Sequence, residues 1–98
     1  MSAREKVLAT LREQLPELRE RYGVCGLWLF GSVARGEDDE DSDVNLLAEF
    51  EGAASLFTLA RLKRHLEIVL GRHVELGTPE GLSRASRDPI MKERILVA

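Results

Sequence analysis

Two short stretches of the sequence place glycine, serine, a carboxylate and an amide in an order that suits phosphate and metal binding. Gly31 and Ser32 follow an apolar run, so backbone amides could approach an anion closely while a hydroxyl donates beside them. Asp43 and Asn45 follow, and alternation along an extended chain puts both side chains on one face. Mg²⁺ prefers oxygen ligands and often binds phosphate oxygens together with protein carboxylates. These residues therefore predict a site for a metal-bound phosphate ligand, with the phosphate at the turn of Gly31 and Ser32 (the phosphate corner).

A third acid, Glu75, could complete this site from a later segment. It lies within the short run 73–76, between two apolar residues. An acid in such a strand requires a partner, which a metal ion or a reacting hydroxyl would supply. Together these positions indicate phosphoryl-group chemistry, in which metal ions neutralise phosphates and an acid accepts the proton of an attacking hydroxyl.

Each of these residues also has an ordinary structural interpretation. Gly31 and Ser32 alone would suit a strand-ending turn, and Asp43 with Asn45 could cap a strand entrance. For Glu75 alone, an exposed edge-strand acid paired with an arginine is nearly as good an interpretation. The combination and spacing of all these residues favour the site.

Hydrophobic periodicity predicts the elements that would position these groups. The predicted order is a helix over Ala3–Tyr22 interrupted at Pro16, strands over Val24–Phe30 and 43–50, a helix over 55–70, a strand over 73–76, and helix starts at Thr78-Pro79 and Asp88-Pro89 that lead to a closing helix over 90–98. This order predicts an α/β (α+β) fold with a small mixed three-stranded sheet and flanking helices.

Length, composition and charge limit the kind of protein. The 98 residues fit one domain, 1–98, and a hydrophobic content of 44% with 32% charged residues is typical of a soluble globular chain. The net charge is −3 at pH 7. Domains that bind the phosphates of nucleic acids normally carry an excess of positive charge. We therefore do not expect nucleic acid to be the principal ligand.

Several further features favour a cytoplasmic setting. The N-terminus lacks the apolar region of a signal peptide, and no stretch approaches the ~20 apolar residues that a membrane span needs. The single cysteine, Cys25, lies in an apolar run and is interpreted as a small buried hydrophobe. We expect Trp28 in the core and His65 at the surface. His73 would share a face with Glu75, but one histidine without a second ligand nearby is weak evidence for zinc.

The order of the motifs resembles a known family signature. The resemblance rests on residues 31–36, Gly-Ser-Val-Ala-Arg-Gly, on residues 42–47, Ser-Asp-Val-Asn-Leu-Leu, and on Glu75. They are similar to the pattern of the DNA polymerase β-like nucleotidyltransferase superfamily, in which Gly-Ser precedes an Asp-x-Asp pair and a third acid follows. The brevity of the chain and the Ala-Arg-Gly most resemble the minimal nucleotidyltransferases of prokaryotes.

The resemblance implies an enzyme that moves a nucleoside monophosphate from magnesium-bound ATP to a hydroxyl. It implies that Gly31 and Ser32 hold the nucleotide phosphates. It also implies that Arg35 braces the acidic loop, residues 37–43, or contacts a phosphate. Asp43 would be the first metal ligand and Glu75 the third acid. Minimal members of the family typically pair with a helical HEPN-type protein as a toxin–antitoxin couple, so a HEPN-domain partner is expected to present the acceptor.

Asn45 departs from the family pattern, which has a second aspartate at this place. Its neutral carbonyl oxygen can still bind a metal, but one negative charge is lost from the site. The expected catalytic and metal-binding set is therefore Asp43, Asn45 and Glu75, with one or two Mg²⁺ ions. The alternative is an antitoxin impaired in catalysis that acts as a partner-binding module.

Overall fold

Helices and strands alternate along the chain in the computed structural model, which describes residues 2–97. The elements are α1 (Ala3–Tyr22), β1 (Val24–Phe30), α2 (Gly31–Arg35), β2 (Val44–Phe50), α3 (Leu56–Leu70), β3 (Val74–Gly77), a 3₁₀ turn (Pro79–Gly81), α4 (Arg84–Glu93) and β4 (Ile95–Leu96). A mixed sheet with flanking helices confirms the predicted fold class.

Within residues 2–97 the sheet has four strands, in the order β3-β2-β1-β4, so the prediction of three strands was wrong by one. β1 is antiparallel to β2 and β4, whereas β2 and β3 are parallel. The additional strand comes from the closing residues, which were expected to be helical. The helix instead stops before Arg94, whose backbone is extended, and Ile95 then pairs with Leu29 along the free edge of β1. Ala98, the last residue of the predicted helix, lies outside the described residues.

Two predicted helix starts also differ from the structure. Pro79 begins only a 3₁₀ turn, and the longer helix α4 starts after Ser83, whose hydroxyl accepts a hydrogen bond from the Ser86 amide. This side-chain cap satisfies an amide that the helix start leaves open, so α4 begins before Asp88 and Pro89 lies within it. Helix α1 runs through Pro16 without a break in its assignment.

The main core lies between one face of the sheet and the helices α1 and α3. Its fully buried side chains are aliphatic, and they include Leu11 and Leu18 of α1, Leu62 and Leu66 of α3, and Leu27, Leu29, Val44, Leu46 and Val74 of the strands. Alternation along β2 turns Asn45 and Leu47 to the opposite face. None of the helices within residues 2–97 combines the length and apolarity that crossing a membrane requires.

Three residues outside the predicted site lie in environments that differ from expectation. Cys25 is exposed, because the pairing of β1 with β2 is irregular at this point and its side chain points away from the core. His65 is largely buried, with its ring 2.8 Å from Gln14 Oε1 and 3.1 Å from the Tyr22 hydroxyl. Trp28 is only half-buried, and the Arg94 guanidinium lies 4.4 Å from its ring centre.

Candidate active site

The parallel pairing of β2 and β3 brings the predicted acidic residues to one edge of the fold. Asn45 lies opposite Glu75 in the register, and the Val44 amide donates to the His73 carbonyl at 2.9 Å. Asp43, directly before β2, therefore lies beside the start of β3. Asp43 and Glu75 are 32 positions apart in the sequence. The pairing of β2 with β3 brings them close together in space.

Side chains of Asp43, His73 and Glu75 converge there. One potential ligand atom from each lies within 4.8 Å of the others. His73 Nδ1 is 3.2 Å from Asp43 Oδ1 and 3.8 Å from Glu75 Oε1. All three side chains are substantially exposed, so the group is open to a ligand from solution. Carboxylate and imidazole donors at these separations could share a divalent cation.

His73 was not among the residues that sequence reasoning placed in the site. The usable signal was its spacing of two from Glu75, which puts both side chains on one face of a strand. The second candidate ligand beside this histidine is Asp43, which lies directly before the neighbouring strand β2. Only the register between the two strands reveals that ligand.

Gly31 and Asn45 are in close contact, which links the predicted phosphate corner to β2. Gly31 has φ +79°, a conformation that glycine adopts at little cost. A Cβ at this position would lie 2.5 Å from Asn45 Nδ2, far inside van der Waals contact. The absence of a side chain at Gly31 therefore makes room for the amide of Asn45, and Ser32 follows in the first turn of α2.

The Gly31 amide is already engaged within the structure. It donates to Glu93 Oε1 at 3.1 Å, and the N-cap residue of α2 makes no side-chain cap. A carboxylate from α4 thus satisfies the amide at the start of α2, 62 residues away in sequence. No local pattern pointed to Glu93. A phosphate at this corner would therefore meet Ser32 and the following amides more readily than the Gly31 N–H.

Arg35 joins two carboxylates on either side of this corner. Its Nη1 donates to both oxygens of Glu93 at 3.1 Å, and its Nε donates to Glu37 Oε2 at 3.1 Å. The hydrogen bonds to Glu37 and then Glu93 raise the pKa of the Arg35 guanidinium above its ordinary value. Through Glu37, these contacts join Arg35 to the first residue of the acidic loop 37–43.

Arg72 holds the acidic loop that precedes Asp43. Its Nη2 donates to the carbonyls of Ser42 and Asp39 at 2.8 and 2.9 Å, and its Nη1 lies 3.4 Å from Asp38 Oδ2. These contacts fix the approach of the chain to Asp43, because Ser42 immediately precedes it.

Comparison with known proteins identifies the family. The nucleotidyltransferase domain family matches residues 11–97. The chain is 38% identical over 93 residues to the protein adenylyltransferase MntA of Thermococcus cleftensis, covering 95% of this chain and 94% of that protein. A solved structure provisionally described as a minimal nucleotidyltransferase superposes with a TM-score of 0.79 at 40% identity, covering 97% of this chain and 95% of the other.

A more distant solved structure shares the fold. It is a toxin–antitoxin crystallised with AMP-PNP, with a TM-score of 0.74 at 16% identity over 89% of this chain and 72% of that one. At this identity the likeness concerns the fold alone. The sequence relationship is carried by the closer matches, which span nearly the whole chain. The chain therefore belongs to the nucleotidyltransferase domain family and is a nucleotidyltransferase enzyme.

Proposed function

We propose that the chain transfers AMP from magnesium-bound ATP to a hydroxyl on a partner protein. The observation that carries this proposal is the convergence of Asp43 and Glu75 beside the corner that begins at Gly31. Oxygen donors of this kind suit a cation that accompanies phosphates, and a neighbouring helix start suits the phosphates themselves. The relative of this chain in Thermococcus cleftensis carries the name protein adenylyltransferase, which supports AMP as the transferred group.

The chemistry would depend on position and charge. Asp43, Asn45 and Glu75 would hold one or two Mg²⁺ ions, which neutralise the charge of the triphosphate when bound. Ser32 would donate its hydroxyl to a phosphate oxygen. The side chain of Glu75 is 56% exposed, so an acceptor could approach it, and Glu75 would accept the proton of the acceptor hydroxyl. Arg35 would fix the position of the acidic loop relative to the phosphate corner through its contacts with Glu37 and Glu93.

The acceptor is proposed to come from a separate HEPN-type protein, as in a toxin–antitoxin couple. A neighbour of the same fold was crystallised as a toxin–antitoxin with AMP-PNP. Within residues 2–97, all the strands form one sheet and the helices pack around it. This arrangement supports the proposal that residues 1–98 act as a single domain.

A second candidate function follows from Asn45. The amide removes one negative charge from the expected metal-binding set, and charge on the ligands strengthens the binding of hard cations. A chain weakened in this way could neutralise its partner by covering its surface without transferring a nucleotide. Binding of Mg²⁺-ATP by the isolated chain favours the first function, and partner binding without nucleotide binding favours the second.

The proposal is tested by titrating Mg²⁺-ATP into isotopically labelled protein and following backbone amide shifts. We expect shifts centred on Gly31, Ser32, Asp43 and Glu75, and Asp43→Ala should weaken binding at least about 10-fold, since one carboxylate ligand is lost. Glu40→Ala is the matched control, because it removes an exposed acid of the same loop. Absence of shifts at millimolar ligand, or equal effects of the two substitutions, would count against the proposed site.

A further inference from the structure

The outer face of α3 carries arginines between two exposed apolar side chains. Four residues share this face at the spacing of a helical stripe, namely Phe57, Arg61, Arg64 and Ile68. Phe57 is 82% exposed and Ile68 is 70% exposed, while the buried leucines of α3 lie on the opposite side. At 1.5 Å per residue the stripe is about 16 Å long. These four residues form the arginine face.

A cleft beside the arginine face adds a third guanidinium group. The cleft has a volume of about 420 Å³ and lies between the end of α1 and the outer side of α3. Arg21 of α1 lines it together with Arg61 and Arg64, and Arg21 is paired with Glu17 at 3.1 Å. Within residues 2–97, no ion pair involves Arg61 or Arg64. Their charges are neighbours on the helix and repel one another, so a bound carboxylate would relieve that repulsion.

The charge of α3 is opposite to that of the whole chain. The helix contains three of the 14 lysines and arginines but only one of the 17 acids, whereas the chain has a net charge of −3. That one acid, Glu67, is turned toward β3, where it accepts the Val74 amide. The arginine face is therefore a local positive patch on an acidic protein, and such a patch favours an acidic partner.

The arrangement of charge and apolar surface restricts what could cover the arginine face. A second copy of this chain fits poorly, because two-fold pairing of the face with itself would bring arginines against arginines. Nucleic acid fits poorly as well, since its phosphates would lie against the exposed Phe57 and Ile68. A protein helix with acids in the middle and apolar side chains at both ends would satisfy both kinds of side chain at once.

The C-terminal part of α3 adjoins the candidate active site. Glu67, one residue before Ile68, lies 3.7 Å from His73 Nε2, and His73 Nδ1 lies 3.2 Å from Asp43 Oδ1. A partner helix lying along α3 would therefore extend toward the edge where Asp43 and Glu75 converge. Docking there would hold an acceptor hydroxyl near the site at high effective concentration.

We propose that the arginine face docks an acidic helix of the acceptor protein. Carboxylates three or four residues apart on that helix would pair with Arg61 and Arg64, and apolar side chains beyond them would cover Phe57 and Ile68. This inference rests on the proposed function, because it names the docking surface for the separate acceptor that the function requires.

The first test measures binding of the full chain to a HEPN-type partner by calorimetry, without nucleotide. Arg61→Glu combined with Arg64→Glu should lower the affinity at least about 10-fold, because carboxylates would then face carboxylates. Lys6→Glu combined with Arg84→Glu is the matched control. It reverses two exposed charges outside the cleft and should change the affinity less than about 2-fold. Raising the salt concentration should weaken binding by the wild type more than binding by the arginine variant.

The apolar end of the face is tested in the same assay. Phe57→Ala should lower the affinity about 5-fold or more, since aromatic side chains often dominate such contacts. Leu96→Ala is the control, because it shortens another exposed apolar side chain, 53% exposed, on β4. Backbone amide shifts of the labelled chain should centre on residues 57–68 when the partner is added. Circular dichroism verifies that each variant remains folded.

Kinetics separate docking from chemistry. In AMP transfer, the arginine variant should raise KM for the partner at least about 10-fold. It should leave kcat and the affinity for Mg²⁺-ATP within about 2-fold, because the arginine face lies outside the candidate site.

Three outcomes overturn the inference: no partner binding by the wild type, equal affinities of the arginine variant and its control, or equal losses in Phe57→Ala and Leu96→Ala. Binding of single-stranded RNA or phosphatidylserine vesicles that is lost in the arginine variant, while partner binding persists, also overturns it. Partner binding through this face without any Mg²⁺-ATP binding would overturn the proposed transfer and leave the docking surface standing. Transfer with an unchanged KM in the arginine variant would do the reverse.

Discussion

At the scale of single residues, Asn45 has two roles that oppose one another. Its amide fills the space left by the missing side chain of Gly31, so it contributes to the shape of the corner. Its neutrality lowers the negative charge available to a cation at the edge shared with Glu75. Aspartate has nearly the same size and shape as asparagine. Exchanging the two therefore changes the charge while it leaves the packing against Gly31 almost unaltered.

Asn45→Asp is expected to strengthen Mg²⁺-ATP binding and AMP transfer, each by about 10-fold or more, since it adds a carboxylate ligand for a hard cation. Transfer is measured with radiolabelled ATP and a HEPN-type partner, and binding by calorimetry. Asn45→Ser is the control, because it removes the amide without adding a charge. If neither the wild type nor Asn45→Asp transfers AMP, and both bind the partner equally, the chain acts as a binding module.

The spacing of residues in the sequence predicted some members of the candidate site and not the others. Asp43 and Glu75 could be selected from sequence, because each is an acid next to apolar strand residues, and the structure brings them together. His73 carried a usable signal only in its alternation with Glu75. Glu93 and Arg72 carried none, since their contacts with Gly31 and Ser42 join distant segments and follow from the tertiary fold.

At the scale of elements, Glu93 connects the end of α4 to the start of α2. Its carboxylate accepts from the Gly31 amide and pairs with Arg35. Helix α2 has only five residues and no side-chain cap at Phe30, so it depends on this contact for its first turn. The placement of Ser32 in the candidate site is thus linked to a helix near the other end of the chain.

Glu93→Ala is expected to lower the free energy of unfolding by about 1–2 kcal/mol, the effect of losing a charge-assisted hydrogen bond to a partly buried amide. It should also accelerate hydrogen exchange at Gly31. Urea denaturation and amide exchange measure the two effects. Glu37→Ala is the control, because it removes the other carboxylate on Arg35 and leaves the Gly31 contact intact. Equal destabilisation by both variants would show that the Gly31–Glu93 hydrogen bond contributes no stability beyond that of the ion pairs with Arg35.

The charge of Arg35 does not make the stability contributed by its contacts with Glu93 and Glu37 depend on pH near neutrality. Its pKa is raised in the folded chain, so its contribution to stability is fully present below the unfolded pKa. That contribution would be lost only as the pH rises through the still higher folded value, which lies in strong alkali. Any pH dependence of stability near neutrality must therefore arise elsewhere.

The longest elements were the most predictable. Periodicity located α1, α3 and the two seven-residue strands, because each presents enough apolar residues to define a face. Strand β4 has two residues and no pattern of its own, and it forms because β1 offers a free edge. The start of α4 was missed because the Asp88-Pro89 pair resembles a helix start more closely than Ser83 does.

At the scale of the whole molecule, α3 separates core from surface within two residues. Leu66 is fully buried against the sheet, whereas Ile68 is 70% exposed. Leu56 is a large apolar residue of the same helix, yet it is 83% exposed. Leu56 is the first residue of the helix, and burial there depends on how far α3 overlaps the sheet beneath it. That overlap is a property of the assembled fold.

Leu66→Ala should therefore lower the free energy of unfolding by about 2–5 kcal/mol, since it removes buried methyl groups and leaves a cavity between α3 and the sheet. In a chain of this size, such a loss corresponds to a melting temperature lower by roughly 10 °C or more. Ile68→Ala is the matched control on the same helix and should change stability by less than about 0.5 kcal/mol. Urea denaturation of both variants makes the comparison. Similar losses in the two would mean that the outer face of α3 is also covered, and the assignment of the core to its inner face would be wrong.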